Sequence, residues 1–533
     1  FFWEGLDGSR VLSHFMPGEE YSAELEPWLI RTAEHDYAEK DRCSLQLMPF
    51  GHGDGGGGPA RAHLERLRRY ADFEGMPRLV SMPPDAFFAQ LERESRNLPV
   101  WRGELYLENH RGTYTSQAQA KKQNRQAELL LREAEILAAL AMAGGARYDQ
   151  SGFTEAWKLV LLNQFHDILP GSSIDEVYAQ SDRQYAAVFS SVGAIRDQAF
   201  GRLARGVDTR GAGEPVLAFN SLSWTRRDLI EVEAPARMKG GAWVAAGADG
   251  EACPVQIGED GKARFLGTLP SMGHKVFHTL PAGASLPEIA VSERGMENAF
   301  VRLRFDGQGR LRGVYDKRSR RDVLAPGATG NQFILFEDKM ASCGASWDID
   351  IFYNDKPIEF DGALLGVEVA ERGPVRSVLR FRRAIGNSRI TQDVVLMAES
   401  PRIAFQTTVD WGDEHDVMLK AAFPVNIRSE KARYETQFGN LERPTHWNTP
   451  QDFGRFEAPA HKWVDLSEGN YGVALLNDCK YGHDIKDNVM RITLLRAPRD
   501  PGQTHDVART NKVTSALLPH QGDFTQGREQ AAY

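Results

Sequence analysis

Long apolar runs and blocks of like charge are both missing from this chain of 533 residues. The longest uninterrupted apolar run, Ile136 to Ala143, is far shorter than the roughly 18 residues that a membrane span needs. No run of five like charges occurs, and a net charge of −9 lacks the basic footprint of a nucleic-acid-binding protein. The sequence therefore predicts neither a membrane partner nor a nucleic-acid partner.

Cysteine is scarce, and its four positions, Cys43, Cys253, Cys343 and Cys479, are scattered without a CxxC pair. Because this spacing offers no disulfide framework, it favours a reducing compartment. The first residue is Phe rather than Met. We therefore expect the natural N-terminus to lie upstream, where no leader could be seen in this sequence.

The segments that are present change in kind along the chain. Up to about residue 98, we interpret 45–50 as a buried strand, 61–75 as a helix and 78–82 as a second strand, which is the α/β pattern. Strong helix formers then fill 117–142, and a second helix is predicted over 154–168.

A third helix is predicted to open at Ser173-Ile-Asp-Glu176, which has the spacing of a capping box, and to end near Ala204. Further on, short alternating runs such as 228–233, 300–305 and 375–381 are separated by Asp-Gly turns, a pattern typical of β-sandwiches.

The predicted fold class is multidomain α/β + α + β. We expect the C-terminal part of an α/β domain over 1–98 and a three-helix bundle over 99–208. A small β-sandwich over 209–295 and a large one over 296–533 would follow.

A glycine-rich loop, Phe50 to Pro59, holds one imidazole, His52, and one carboxylate, Asp54. A flexible linker does not fit a loop that follows an apolar run and ends in Pro, and no Gly-Lys-Ser/Thr supports a phosphate loop. Glycines also permit close approach of the backbone to a ligand, where an enclosed Asp54 could transfer protons. Phosphate binding stays open as the lesser alternative.

Two adjacent polar residues, His166 and Asp167, interrupt an apolar run at the predicted end of the second helix. Burying both without partners would be costly, so a metal ion or a polyhydroxyl ligand would suit them. One histidine is not a zinc site, since Zn²⁺ takes about four ligands, and a structural histidine remains an alternative.

A third polar segment, 103–117, precedes the first long helix. It is either a solvated helix N-terminus or the wall of a sugar pocket. The side chains that raise the question are Glu104, Glu108, His110, Arg111 and Tyr114.

These segments together resemble glycoside hydrolase family 38, the α-mannosidases. The resemblance rests on Phe50 to Pro59, "RGTYTSQA" at Arg111 to Ala118 and "LLNQFHDILPGSSI" at Leu161 to Ile174. It extends to "FFWEGLDGSRVLSHF" at the start, "YETQFGNLERPTHWNT" from Tyr434 and "ALLPHQGDF" from Ala516. It is strongest to the branch with cytosolic, vacuolar and many bacterial enzymes, which implies a cytoplasmic location.

The resemblance implies a retaining α-mannosidase with one active-site Zn²⁺ and a mannose-containing oligosaccharide as substrate. His166 matches a zinc ligand, Asp167 a neighbouring sugar contact, and Asp54 the general acid/base. The other substrate-binding positions that it implies are Trp3, Glu4, His52 and Tyr114.

The family's nucleophilic Asp and its remaining zinc ligands have no match in this sequence. We therefore expect them upstream and expect the chain by itself to be inactive. The alternative function is that of a β-rich carbohydrate-binding fragment, and self-association into a homo-oligomer is open.

Overall fold

The computed structural model describes residues 1–17, 21–53, 56–238, 241–282, 288–340, 344–412, 415–499 and 509–525. The chain forms two compact units, Phe1–Leu105 and Tyr106–Tyr533. No helix in the described ranges is long and apolar enough to cross a membrane. The chain combines helices with antiparallel sheets, in agreement with the predicted mixed class.

The first unit contains a small sheet and three helices. Its elements are β1 (Phe2–Glu4), β2 (Arg10–Leu12), α1 (Pro27–Asp36), α2 (Arg61–Arg69), α3 (Pro84–Glu94) and β3 (Val100–Arg102). The sheet has the order β2-β1-β3, with β1 antiparallel to β2 and parallel to β3. Cys43 and two residues of α3, Phe87 and Leu91, form its buried core cluster.

The predictions of strands at 45–50 and at 78–82 in this unit are both wrong. Segment 45–50 makes one isolated parallel bridge, Ala23 to Phe50, and 78–82 is irregular. A strand exists only where a neighbour accepts its hydrogen bonds, and apolar composition does not reveal that neighbour. Helix α2 also ends earlier than predicted, since the following residues form turns closed by the Met76 N–H on the Phe73 carbonyl.

The second unit begins with three packed helices, α4 (Ala118–Ala143), α5 (Gln150–Asn163) and α6 (Asp175–Ala204). Leu131, Phe153 and Val188, one from each helix, belong to one buried cluster. The bundle is therefore as predicted, and α4 ends at Gly144 as its glycines indicated.

Two details of the bundle differ from prediction at the α5–α6 connection. Helix α5 ends at Asn163 rather than at 168, because the chain then enters a series of turns. The capping box is absent: the N-cap of α6 is Ile174, which has no side-chain cap. The Ser173 hydroxyl instead donates to the Asp167 carbonyl, 2.7 Å away.

A six-stranded antiparallel sheet follows the bundle, with the order β4-β9-β6-β7-β8-β5. Its strands are β4 (Glu214–Asn220), β5 (Arg226–Glu233), β6 (Trp243–Gly247), β7 (Ala252–Ile257), β8 (Lys262–Leu269) and β9 (Gly273–Pro281). Phe265 and Phe277 pack edge to face in its core. The strand predicted over 228–233 is confirmed within β5.

The remaining strands build the large β region. They are β10 (Ala290–Ser292), β11 (Gly295–Glu297), β12 (Val301–Phe305), β13 (Leu311–Asp316), β14 (Arg321–Asp322), β15 (Gln332–Glu337), β16 (Pro357–Phe360), β17 (Ala363–Glu371), β18 (Arg376–Ile385), β19 (Ser388–Met397), β20 (Ile403–Asp410), β21 (Val417–Pro424), β22 (Lys431–Thr436), β23 (Gly439–Pro444), β24 (Ala458–Pro459), β25 (Trp463–Glu468), β26 (Tyr471–Asn477), β27 (Gly482–Lys486), β28 (Val489–Ala497) and β29 (Thr510–Gln521). One short helix, α7 (Pro450–Gly454), lies between β23 and β24.

These strands form three antiparallel sheets that share one hydrophobic core. The orders are β10-β11-β12-β13-β14, β16-β15-β21-β28-β27-β24 and β17-β18-β19-β20-β29-β26-β25-β22-β23. Strand β10 pairs with β11 and so belongs to this region. The strands predicted at 300–305 and 375–381 are confirmed, whereas the bounds of the four domains stay predictions.

Candidate functional site

The glycine-rich loop is closed by its own backbone. The His52 N–H donates to the Gly58 carbonyl at 3.0 Å. The Gly51 N–H donates to the Ala23 carbonyl, outside the loop, at 3.2 Å. A Cβ on Gly57 would lie 2.7 Å from His52 Cβ. Gly57 therefore permits a close approach of the chain to His52. Asp54 lies outside the described residues, so its general acid/base role stays a prediction.

His52 belongs to a cluster that the sequence did not suggest. Its Nδ1 lies 3.8 Å from Glu24 Oε1, and His63 Nε2 lies 3.1 Å from Glu24 Oε2. His63 is buried in α2, and its ring meets that of His52 edge to face at 5.1 Å. The available signal was that His63 is the third residue of α2, from where a side chain reaches back to the N-cap N–H.

The protons of this cluster argue against a metal centre. The Ala60 N–H donates to His63 Nδ1 at 2.8 Å, so the neutral ring carries its own proton on Nε2. That proton faces Glu24, and a metal ion at Nε2 would have to replace it and leave the ring anionic. Glu24, His52 and His63 could bracket an ion by distance, but His63 already uses both ring nitrogens, on the Ala60 N–H and on Glu24.

Trp3 and Glu4 lie on β1 and are both held by neighbours. The Trp3 indole N–H donates to the Gly103 carbonyl at 2.8 Å. Glu4 pairs with Arg10 at 2.7 Å and Arg102 at 2.5 Å, and its hydrogen bond with Arg10 lowers the pKa of the carboxyl. Glu4 is thus an ionised, paired carboxylate, and its contact with sugar stays a prediction, as does that of Trp3.

Residues 111–117, here called the docking segment, contradict the idea of a solvated helix N-terminus. The Arg111 N–H donates to Asp348 Oδ1 at 2.9 Å, and its guanidinium donates to the Gly454 carbonyl at 2.8 Å. Ser116 is buried, and its hydroxyl donates to the Ser346 backbone carbonyl at 2.9 Å. The segment is therefore fixed to the β region.

Tyr114 ends a short 3-10 helix, Arg111–Tyr114, inside the docking segment. It is half-buried and hydrogen-bonds to Tyr106, whose pKa is raised mainly by burial. The structure thus holds the Tyr114 ring in place, while the sugar contact expected of it is untested.

Residues 164–173, here called the His–Asp loop, carry His166 and Asp167. Both side chains are accessible, with 76% and 44% exposed, and His166 Nε2 lies 3.4 Å from Asp167 Oδ2. The idea that they are buried on a helix is wrong. The backbone beneath them is nevertheless fixed, because the Asp167 carbonyl accepts from the hydroxyls of Ser173, 2.7 Å, and Tyr178, 3.4 Å.

The far side of the His–Asp loop lies against the docking segment. Gly171 has φ +100°, and a Cβ there would lie 2.6 Å from the carbonyl carbon of Ser116 and 2.7 Å from Ser116 Cβ. Only glycine allows both the backbone angle and this approach. The Lys121 ammonium donates to the carbonyls of Leu169 at 2.9 Å and Pro170 at 3.1 Å. The loop is thereby tied to the first turn of α4.

The donor set at the His–Asp loop suits zinc in kind. An accessible imidazole and a carboxylate are both zinc ligands, but Zn²⁺ takes about four. In the described ranges no group of three His, Cys, Asp or Glu side chains includes His166. His166 and Asp167 could therefore supply only part of a zinc shell.

Comparison with known proteins identifies related sequences along most of the chain. Three domain families match in order: the glycosyl hydrolases family 38 N-terminal domain over 1–104, the alpha mannosidase middle domain over 108–203, and the glycosyl hydrolases family 38 C-terminal domain over 296–504. The matches define the class as a glycosyl hydrolase of several domains. The chain belongs to glycosyl hydrolase family 38.

Curated relatives extend this result over the whole chain. Alpha-mannosidase 2C1 of Homo sapiens is 38% identical over 100% of this chain and 50% of its own length. Alpha-mannosidase G of Dictyostelium discoideum is 32% identical over 98% of the chain and 51% of its length. The chain thus spans about half the length of the curated relatives it matches.

A solved structure supports the fold. The crystal structure of an alpha-mannosidase from Enterococcus faecalis V583 aligns with a TM-score of 0.76 at 17% identity. The alignment covers 100% of this chain and 70% of that chain.

Proposed function

We propose that the protein containing this chain is a retaining α-mannosidase, which hydrolyses terminal α-linked mannose from oligosaccharides or glycans with one active-site zinc ion. The observation that carries the proposal is the fixed His–Asp loop, which presents His166 and Asp167 to solvent in a chain related to alpha-mannosidases throughout. A cytoplasmic location and self-association stay predictions.

Each polar residue has a separate role in this proposal. His166 would hold zinc through its imidazole, and Asp167 would bind a hydroxyl of the sugar. Zinc would supply a Lewis acid that favours the transition state of glycoside cleavage. Asp54 would protonate the departing oxygen and then take a proton from water, as the second carboxyl of a retaining enzyme does. Trp3, Glu4, His52 and Tyr114 would line the sugar pocket.

The activity is tested on the protein encoded by the complete natural reading frame, with p-nitrophenyl α-mannoside as substrate. Release of p-nitrophenol that a chelator abolishes and zinc restores is the expected result. Asp54→Asn should lower turnover by roughly 10²–10⁴-fold. Full turnover in that variant would remove Asp54 from the mechanism.

The zinc role of His166 is tested by elemental analysis of His166→Ala. A matched control is His35→Ala, because His35 and Asp36 are also adjacent, exposed and paired, with Nδ1 2.8 Å from Oδ1. We expect His166→Ala to lose zinc and His35→Ala to keep it. Zinc at full stoichiometry in His166→Ala would refute the assignment. Mannoside binding without turnover in the complete protein would favour the carbohydrate-binding alternative.

A further inference from the structure

Lys121 occupies a position where a lysine is unfavourable. It lies in the first turn of α4, and only 5% of the residue is exposed. A helix N-terminus carries partial positive charge, so a cation there is repelled rather than stabilised. Burial of an ammonium group is also costly unless its donors are satisfied. A residue that breaks both rules needs a local reason.

Three backbone carbonyls that converge on its Nζ supply such a reason. The ammonium donates to Ser116 at 2.5 Å, Leu169 at 2.9 Å and Pro170 at 3.1 Å. An ammonium has three N–H donors and can therefore hold several carbonyls at once. One carbonyl belongs to the docking segment and the other two belong to the His–Asp loop. We infer that Lys121 is a positioning residue that fastens the His–Asp loop to the docking segment.

The two loop carbonyls lie outside any helix, beyond the end of α5. They therefore have no place in a helical hydrogen-bond ladder, and a cation is a strong partner for both. Gly171 brings the loop within reach, because its lack of a side chain lets it lie against Ser116. Close approach and charge thus act on the same stretch of loop.

A tight turn connects the carbonyls that Lys121 holds to the backbone next to His166. The N–H groups of Ile168 and Leu169 both donate to the Phe165 carbonyl, at 2.9 and 3.2 Å. A shift of the Leu169 peptide therefore moves the residue before His166. The consequence for zinc rests on the proposed function, whereas the fastening of the loop does not.

The fastening is tested by hydrogen exchange with mass spectrometry on the intact chain carrying Lys121→Met. Methionine keeps the aliphatic length and removes the charge. Peptides covering 164–173 should exchange about tenfold faster or more, since even one hydrogen bond to a charged group is worth that factor. The control is Lys122→Met, whose ammonium donates to the exposed Lys512 carbonyl at 2.7 Å. It should leave the loop unchanged.

Two results would overturn the inference: unchanged exchange of 164–173 in Lys121→Met, or an equal acceleration across the centre of α6, which would indicate a general loss of stability. If Lys121→Met does not fold, Lys121→Gln replaces it, since glutamine can donate but carries no charge. The same two results then decide.

A zinc titration of the complete protein separates this inference from the proposed function. Lys121→Met should weaken zinc binding on the order of 10–100-fold, as loss of a supporting contact does at metal sites. Faster loop exchange with unchanged zinc affinity would support the fastening and overturn only its expected effect on zinc binding. Unchanged loop exchange would overturn the fastening whatever the zinc affinity.

Discussion

Gly171→Ala is the sharpest perturbation that the structure offers at the His–Asp loop. The glycine has φ +100°, and an added Cβ would lie 2.6 Å from the Ser116 carbonyl carbon. The backbone angle alone costs an alanine about 1–2 kcal/mol. Forcing a methyl group into a close-packed contact adds about 1–3 kcal/mol. Because the atoms that it meets are largely backbone, they cannot turn aside as a flexible side chain would.

The matched control is Gly145→Ala. Gly145 also has positive φ, +81°, but a Cβ there would meet nothing within 4 Å. The two variants share the cost of the backbone angle, so their difference isolates the contact with Ser116. We expect Gly171→Ala to be the more destabilising by about 1–3 kcal/mol.

Native-state hydrogen exchange measures this difference, because it reports the opening free energy of each region in a chain of several domains. The bundle peptides give the stability of α4–α6, and peptides over 164–173 give that of the loop. Equal or smaller destabilisation by Gly171→Ala than by Gly145→Ala would refute the docking of the loop on Ser116.

Two further predictions concern the buried ionisable residues His483 and Lys420 of the β region. Burial lowers the pKa of His483 from 6.5 to about 4. Between these pH values the unfolded chain binds a proton on this residue that the folded chain does not bind. The free energy of unfolding should therefore fall as the pH drops through that window, by about 2 kcal/mol between pH 7 and 5. Urea unfolding at both pH values checks this, and His483→Gln with an undiminished pH slope would contradict it. Lys420 is fully buried between Glu457 at 2.5 Å and Asp484 at 2.7 Å. Lys420→Met should lower the free energy of unfolding in urea by about 3–5 kcal/mol. The control Lys431→Met, at an exposed ion pair, should lower it by at most about 1 kcal/mol. Similar losses in the two variants would show that the buried carboxylates find other partners.

Local patterns were enough for the elements that depend on nearby residues. The composition of 117–142 and the glycines after it predicted α4 and its end. Alternating runs predicted strands such as β5 and β12. In each case the signal and its consequence lie within a few residues, so propensity and periodicity suffice.

Elements that need a distant partner were not predictable in this way. The apolar stretch 45–50 looked like a strand but found one bridge, because pairing depends on a neighbour elsewhere in the chain. Ser173 had the spacing of a helix cap, yet its hydroxyl donates to the Asp167 carbonyl instead. Competing hydrogen-bond partners decide such cases.

The sequence by itself determined the long helix α4, the alternating strands of the β region, the mixed fold class and the adjacency of His166 and Asp167 in one polar pair. Only the tertiary structure decided that this pair is exposed, that it lies on a turn beyond α5, and that Lys121 and Gly171 fasten its loop to the docking segment. It also decided that His52 meets Glu24 and His63. The physical reason is the same throughout: helices and turns follow from neighbours in sequence, whereas the environment of a side chain is set by residues that folding brings from far along the chain.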